Sequence, residues 1–307
     1  MRRLDQIIPN EIVFDANAQK GAPLPWWAKI GAKIVLSRVP LGYDTRKSLG
    51  MFRHGFRDRD FEQHRANIDH VLSLHAEFGG GKAATLMELG PGDSVGTALF
   101  AAAAGLSRTW LIDVGDFASR DMAVYRDIAG LLEKRRPGFA AGMDLSGRDR
   151  MLVALAASYL TQGIESLSAI PTGSVDIAFS TAVLEHVRRA EFVAMQTEIA
   201  RILRPGGTAH HTIDLSDHLG GSLNHLRFAA RVWEHPFMAN SGFYTNRLRY
   251  SEIIAAMRAV GFELALTRVA RWPELPTRRR ALAADYRDLP ERDLRVASFD
   301  VLLRKPG

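Results

Sequence analysis

The sequence of 307 residues contains no cysteine. This absence excludes disulfide bonds, thiolate metal sites and a cysteine nucleophile. No uninterrupted apolar run reaches the roughly 18 residues that are needed to cross a membrane. The N-terminal residues Met-Arg-Arg-Leu-Asp also lack the hydrophobic core of a secretion signal. A cytoplasmic location is the expectation that follows.

The composition is that of a globular protein, with 47% hydrophobic and 24% charged residues. A chain of this length can bury a substantial core. The net charge of +6 is a weak signal for anionic partners. The basic runs with interleaved aromatic residues that stack single-stranded bases are missing. Nucleic acid is therefore not an expected partner.

A strand, a glycine turn and the start of a helix follow one another near residue 90. The apolar run at residues 85–89 is typical of a buried strand, and Gly90 and Gly92 come directly after it. An Ala- and Leu-rich stretch follows, with Asp93 or Ser94 as the expected N-cap of its helix. The succession predicts a nucleotide cradle at the carboxyl end of the strand.

Two acidic residues narrow the choice of nucleotide. Asp113 ends the next apolar run, 23 residues after Gly90. This is close to the offset of about 20 residues at which an acid binds ribose hydroxyls, and it fits NAD and S-adenosylmethionine equally. Glu88 would repel a pyrophosphate, but its carboxylate can pair with the amino group of a methionine moiety. The pair favours S-adenosylmethionine.

Strands alternate with helices after residue 80, which predicts a doubly wound, mostly parallel α/β sheet. We expect residues 1–80 to form a helical extension, with the segment Tyr43 to His54 as either a lid or a solvated linker. Residues 81–307 would form the catalytic domain. Within it, residues 216–247 have the composition of a substrate-side insertion.

The segment from Trp26 to Val39 predicts an amphipathic helix with two interpretations. The preferred one is a helix docked on the catalytic domain. In the other, Trp26 and Trp27 rest on a membrane surface and the neighbouring lysines contact anionic lipids.

Three stretches together resemble the class I S-adenosylmethionine-dependent methyltransferases, in particular the branch that modifies small molecules. They are Glu88-Leu-Gly-Pro-Gly-Asp, Val175-Asp-Ile-Ala-Phe-Ser-Thr-Ala-Val-Leu-Glu-His-Val and Ile202-Leu-Arg-Pro-Gly-Gly-Thr. The resemblance covers residues 83–215. It implies a Rossmann-like sheet of seven strands with the last one antiparallel, and S-adenosylmethionine as the cofactor.

The resemblance also implies which residues bind the cofactor. The set is Glu88, Gly90, Pro91, Gly92, Asp113, Ile164, Glu165, Ser180 and Thr181. Glu88 and the glycines would hold the methionine half, Asp113 the ribose, and Ser180 or Thr181 would border the sulfonium. The acid expected to receive the adenine amino group comes one residue late, at Glu165, so the backbone of Ile164 is an alternative.

Histidine is suited to accept the proton of a hydroxyl acceptor, and we expect His186 or His211 to be the base. His210 would point to the opposite face of its strand from His211. His211, Asp214 and His218 have the chemistry of a divalent-metal site, but a structural histidine with surface neighbours is the preferred interpretation. No metal is therefore predicted.

The predicted function is methyl transfer from S-adenosylmethionine to a small molecule or glycan, with a hydroxyl acceptor slightly favoured over nitrogen or carbon. The expected acceptor pocket combines arginines and aromatic residues: Arg227, Arg231, Trp233, Phe243, Tyr244, Asn246 and Arg247. A non-catalytic scaffold is one alternative. An NAD-dependent dehydrogenase is another, disfavoured by Glu88. The sequence leaves the oligomeric state open.

Overall fold

The computed structural model describes residues 2–15, 24–38 and 61–307. The described residues form one eight-stranded sheet in the order β4-β3-β2-β5-β6-β8-β7-β1. The strands are β1 (Asn10–Val13), β2 (Thr85–Leu89), β3 (Arg108–Ile112), β4 (Ala157–Leu160), β5 (Val175–Thr181), β6 (Leu203–Asp214), β7 (Glu263–Arg271) and β8 (Val296–Arg304).

The sheet is mostly parallel, as predicted. Only β8 runs antiparallel to its neighbours β6 and β7 among the strands that the structure describes. The predicted number of seven strands is one too low. The additional strand is β1, which comes from the region expected to be helical and pairs in parallel with β7, Asn10 facing Arg268. Its four residues are all exposed, so no apolar pattern marks it in the sequence.

Helices cover both faces of the sheet. Their bounds are α1 (Trp26–Arg38), α2 (Phe61–Phe78), α3 (Thr97–Ala103), α4 (Met122–Arg135), α5 (Arg148–Ala154), α6 (Phe192–Ile202), α7 (Ala230–Trp233), α8 (Pro236–Ala239), α9 (Tyr250–Ala259), α10 (Ala284–Arg287) and α11 (Glu291–Leu294). None of these described helices is long and apolar enough to span a membrane.

Two apolar layers account for the doubly wound arrangement. Ile177 and Phe179 of β5 pack with buried residues of α2, α3 and α4. Ala178, which lies between them, packs on the opposite face with buried residues of α6 and α9. Because successive side chains of a strand point to opposite faces, a strand covered on both sides has to be apolar throughout. This explains the three successive apolar residues, Ile177 to Phe179, in the middle of β5.

Helix α3 begins differently from the prediction. Its N-cap is Gly96, with no side-chain cap, and its first residue is Thr97. The Ser94 hydroxyl instead accepts a hydrogen bond from the Gly96 amide at 3.1 Å within the preceding turn. The expected capping by Asp93 or Ser94 is therefore wrong, because both side chains are buried inside the turn itself.

Helix α1 is docked on the protein, as the preferred interpretation has it. Ile30 is buried in a cluster with Trp233 and Phe243 of the insertion. Trp26 packs edge-to-face on Phe228, with 6.1 Å between ring centroids. Only one of the two tryptophans faces solvent, since Trp27 is 64% exposed. Peripheral membrane contact stays a prediction, and in this arrangement it would depend on Trp27 without its neighbour.

Residues before position 80 contribute to the sheet layers through α2, which buries Ile68 and Val71 against them. The division of the chain at residue 80 stays a prediction. The proposed lid from Tyr43 to His54 lies outside the described residues.

Candidate active site at the carboxyl edge of the sheet

The corner after β2 requires its glycines. Gly90 and Gly92 both adopt left-handed backbone conformations, with φ of +70° and +63°. A Cβ atom on Gly90 would lie 2.3 Å from a methyl carbon of Val183, which belongs to the loop after β5. Pro91, between the glycines, is buried. The corner therefore turns sharply and packs tightly against the next strand's loop.

Glu88 lies at the end of β2 with only 8% of its surface exposed. Its Oε2 atom is buried and has no hydrogen-bond partner. Burial, together with the charge of Asp113, raises the pKa of Glu88 to about 8, although a hydrogen bond from the Thr97 side chain opposes the shift. A cation placed beside this carboxylate would supply the missing partner.

Asp113 follows β3 and is tied to the same corner. Its Oδ2 atom accepts a hydrogen bond from the Gly92 amide at 3.0 Å. Its Oδ1 atom accepts one from the Val114 amide at 2.8 Å. Strand β2 pairs with β3 so that Leu89 faces Ile112, which places Glu88 and Asp113 at the same edge of the sheet. The structure thus joins the two acids that the sequence indicated, at the carboxyl ends of neighbouring parallel strands.

The end of β4 lies beside Asp113, because the Gly163 amide donates to the Asp113 carbonyl oxygen at 2.8 Å. Ile164 is half-buried here, whereas the Glu165 side chain is exposed. This arrangement favours a backbone contact at Ile164 over a side-chain contact from Glu165. The adenine-binding role of either residue stays a prediction.

Ser180 and His211 form a buried pair at the ends of β5 and β6. The Ser180 hydroxyl lies 2.8 Å from His211 Nδ1. Burial lowers the pKa of His211 to about 3, and its Nε2 atom has no hydrogen-bond partner. Thr181, the next residue, is exposed. A fully buried, neutral imidazole is poorly suited to take up a proton, so this geometry favours a positioning role for His211.

His186 occupies the loop after β5. Its Nδ1 atom lies 2.8 Å from the Tyr244 carbonyl oxygen. Because a carbonyl only accepts, Nδ1 carries the ring proton and Nε2 carries the lone pair. The His186 ring meets the His218 ring edge-to-face, with 4.8 Å between centroids. His210 is separate from this group, since its ring stacks edge-to-face on His70 of α2.

Asn246 holds the loop that carries His186. Its side-chain amide donates to the carbonyl oxygens of Leu184 at 2.8 Å and Val187 at 3.0 Å. Its backbone amide donates to the Glu185 carbonyl oxygen at 2.7 Å. These contacts join segments about sixty residues apart, and no local pattern in the sequence indicates them.

Glu185 is the functional candidate that the sequence reasoning did not single out. It is 1% exposed, and its Oε2 atom has no hydrogen-bond partner. Burial and the charge of Asp214 raise the pKa of Glu185 well above its usual range. The signal in the sequence is the Glu-His pair itself, but only the fold shows that both side chains meet residues at the end of β6.

The predicted acceptor pocket of arginines and aromatics is largely wrong. Trp233, Phe243, Asn246 and Arg247 are buried. Arg247 adopts φ of +59° and donates to the Phe228 carbonyl oxygen at 2.6 Å. These side chains hold the insertion together, because its several short turns have no sheet of their own to pack against.

The fold and the acidic glycine corner define the class I methyltransferase arrangement. The family described as "Methyltransferase domain" matches residues 129–210. This match confirms the resemblance of the chain to the S-adenosylmethionine-dependent methyltransferases. The matched residues include β5, the His186 loop and most of β6. No curated protein matches the chain.

Solved structures of low sequence identity are similar to the chain. An O-methyltransferase family protein from Burkholderia thailandensis has 12% identity and a TM-score of 0.44, covering 92% of this chain and 68% of that one. An Archaeoglobus fulgidus S-adenosylmethionine-dependent methyltransferase has 9% identity and a TM-score of 0.42, covering 80% of this chain and 94% of that one. The YcgJ protein of Bacillus subtilis has 15% identity and a TM-score of 0.42, covering 78% of this chain and 99% of that one.

Proposed function

We propose that the protein transfers a methyl group from S-adenosylmethionine to a hydroxyl group of a small-molecule or glycan acceptor. The observation that carries the proposal is the hydrogen bond between His186 Nδ1 and the Tyr244 carbonyl oxygen, 2.8 Å long. The bond places the ring proton on Nδ1 and the lone pair on Nε2. An imidazole in this tautomer can receive a hydroxyl proton, which a neutral amine acceptor would not require.

The residues of the corner fit the proposed cofactor. The unpartnered Oε2 atom of Glu88 suits a cationic amino group, and a pyrophosphate would meet repulsion there. The left-handed conformations of Gly90 and Gly92 keep the backbone of the corner in a sharp turn. The proposed contacts are the amino-acid half for Glu88, Gly90, Pro91 and Gly92, the ribose for Asp113, the adenine for Ile164 or Glu165, and the sulfonium for Ser180 or Thr181.

S-Adenosylmethionine supplies a methyl group that is already activated by its positive sulfur. The protein therefore has to align an acceptor, exclude water and remove one proton. We assign the proton to His186 Nε2, which receives it as the new oxygen–carbon bond forms and the sulfur–carbon bond of the donor breaks. Tyr244 and Asn246 hold this imidazole in position through the loop contacts. His211 orients Ser180 beside the reacting groups.

Turnover of the full-length protein tests the proposal. The protein is incubated with S-adenosylmethionine and a panel of hydroxylated small molecules and glycans, and S-adenosylhomocysteine is measured by mass spectrometry. His186→Gln is expected to lower kcat by about 10² to 10⁴-fold and to leave the cofactor Kd unchanged. His235→Gln, which alters an exposed histidine of the insertion, is the matched control.

Three results would contradict the proposal. If calorimetry shows that the protein binds NADH and does not bind S-adenosylmethionine, the dehydrogenase alternative is favoured. Cofactor binding without product for any acceptor of the panel would favour the scaffold. Product formation with amines alone would move the acceptor from oxygen to nitrogen.

A further inference from the structure

Four side chains with metal-binding chemistry meet between the ends of β5 and β6. Glu185, His186 and His218 each offer one ligand atom, and these three atoms lie within 4.8 Å of one another. Asp214 adds a second carboxylate, with its Oδ2 atom 4.0 Å from His218 Nε2. Two imidazoles with one or two carboxylates are a common ligand set for divalent transition metals in proteins.

The hydrogen bonding of His186 is that of a metal ligand. Its Nδ1–H donates to the Tyr244 carbonyl oxygen at 2.8 Å, which directs the Nε2 lone pair away from that carbonyl. Histidines that bind metals usually donate their second ring N–H to a carbonyl or carboxylate, because this fixes both the tautomer and the ring orientation. His218 faces His186 edge-to-face, so the two rings converge from different loops.

Glu185 supplies an independent indication of a missing cation. Its Oε1 atom accepts a hydrogen bond from the Asp214 amide at 3.3 Å. Its Oε2 atom is fully buried and has no hydrogen-bond partner. A buried carboxylate oxygen without a partner is costly in a folded protein. A metal ion bound to Oε2 would remove this cost.

Charged residues surround the cluster. Lys33 approaches it, with Nζ 3.3 Å from the His218 carbonyl oxygen, and Asp217 acts electrostatically on Lys33 and offsets its charge. Asp214 interacts electrostatically with Arg249 and Arg268. The Oε2 atom of Glu185 is therefore the carboxylate oxygen of the cluster that calls for a cation.

We propose that Glu185, His186 and His218, with Asp214 as the fourth ligand, bind one divalent first-row transition metal ion. Imidazole ligands favour such ions over magnesium or calcium. The ligands of one ion at about 2.1 Å lie roughly 3 to 4 Å apart, so the side chains have to close by about 1 Å on binding. The sequence analysis predicted no metal and weighed His211, Asp214 and His218 as the alternative. The proposed site keeps Asp214 and His218 from that alternative and has Glu185 and His186 in place of His211.

The proposed site deepens the proposed function and, for its chemical role, rests on it. The ion would lie on the acceptor side of the sheet edge and would lower the pKa of a hydroxyl bound to it. With the ion bound, His186 Nε2 would be a ligand of the metal, so the proton-accepting role assigned to it above applies to the metal-free site, and the test below separates the two. Metal binding can be measured without any acceptor, so the two proposals can fail separately.

Calorimetry on the chelator-treated full-length protein tests the site, with Mn²⁺, Co²⁺, Zn²⁺ and Mg²⁺ as separate probes. One Co²⁺ or Zn²⁺ per chain is expected, with much weaker binding of Mg²⁺. Glu185→Gln and His218→Asn should each weaken metal binding by 10-fold or more, and His235→Gln should leave it unchanged. The visible absorption of bound Co²⁺ should disappear in the two site variants.

Each outcome decides between the proposals. The site is overturned if the parent, Glu185→Gln and His218→Asn bind the metal equally. It is also overturned if the parent binds no stoichiometric metal. Thermal unfolding without metal checks that the variants fold. If His218→Asn does not fold, the isosteric Glu185→Gln variant still tests the site. Methyl transfer that persists in chelator with no metal bound supports the proposed function and overturns the chemical role given to the ion. Stoichiometric metal with no product from any acceptor supports the site while the proposed function fails.

Discussion

Glu88 and Glu185 are two buried glutamates at the same edge of the sheet, and each has an Oε2 atom without a hydrogen-bond partner. They are held in different ways. The corner around Glu88 is formed by the residues that follow it, two of them glycines with positive φ. The loop of Glu185 is held by Asn246, about sixty residues later. One site is a local motif, and the other exists only through tertiary contacts.

This difference has a functional consequence. A corner formed by a strand, a turn and a helix is suited to a ligand that enzymes of different acceptor specificity have in common. A loop defined by a distant insertion can change with the acceptor, since loops carry specificity on a rigid scaffold. We therefore expect perturbations of the corner to act on the cofactor and perturbations of the loop to act on turnover.

Gly90→Ala should have the largest effect. The new Cβ atom would combine a left-handed φ with a 2.3 Å contact to Val183. We expect a loss of about 3 kcal/mol in the free energy of unfolding and a fall of about 100-fold or more in cofactor affinity. Urea unfolding and calorimetry measure the two quantities.

Gly105→Ala is the matched control for this change. Gly105 also has positive φ, +89°, but nothing lies within 4 Å of its added Cβ. Its expected cost is limited to backbone strain of about 1 kcal/mol, with cofactor affinity intact. Equal losses at the two glycines would break the comparison, because the corner would then have no special packing requirement.

Asn246→Ala should have the next largest effect, on the loop side. It removes two hydrogen bonds to buried carbonyl oxygens. We expect the free energy of unfolding to fall by about 2 kcal/mol and kcat to fall by about 10-fold or more while the cofactor Kd stays the same. Asn240→Ala, at an exposed asparagine of the same insertion, is the control. A cofactor Kd weakened as much as by Gly90→Ala would show that the two regions are not separable.

Glu88→Gln should change stability in the opposite direction, and in a way that depends on pH. The pKa of Glu88 is raised to about 8 in the folded protein, so its contribution to stability is fully present below pH 4.5 and is lost as pH rises through 8. Because Gln cannot ionise, the cofactor-free variant should be more stable than the parent at pH 8, and this difference should be smaller at pH 6. Unfolding at pH 6 and pH 8 measures the change.

Cofactor binding gives the second readout for Glu88. The ionised carboxylate is needed to pair with an amino group, so the parent should bind S-adenosylmethionine more tightly at pH 7.5 than at pH 6. Glu88→Gln should bind weakly and without this pH dependence, whereas Glu191→Gln, at an exposed acid, should behave as the parent. Unchanged affinity in Glu88→Gln would remove the cofactor role of this carboxylate.

The sequence by itself determined the parts of the molecule in which neighbouring residues act together. The apolar run of β2, the positive-φ glycines after it and Asp113 at the end of β3 lie within 29 residues, and their roles follow from strand periodicity and backbone sterics. Strands β2 to β6, with helices between them, follow from the same periodicities. The exposed strand β1 has no such pattern and was missed.

Only the tertiary structure decided how the acceptor side is built. The sequence shows the residue types of Glu185, His186, Asp214 and His218, but it does not show that these side chains converge. Arginines and aromatics of the insertion suggested a binding pocket by composition, whereas Arg247 and Trp233 are buried and hold the segment together. The reason is physical, because side chains far apart in sequence meet only where the packing of the whole fold brings their loops into contact. Residue type alone does not distinguish a buried structural residue from an exposed residue that binds a ligand.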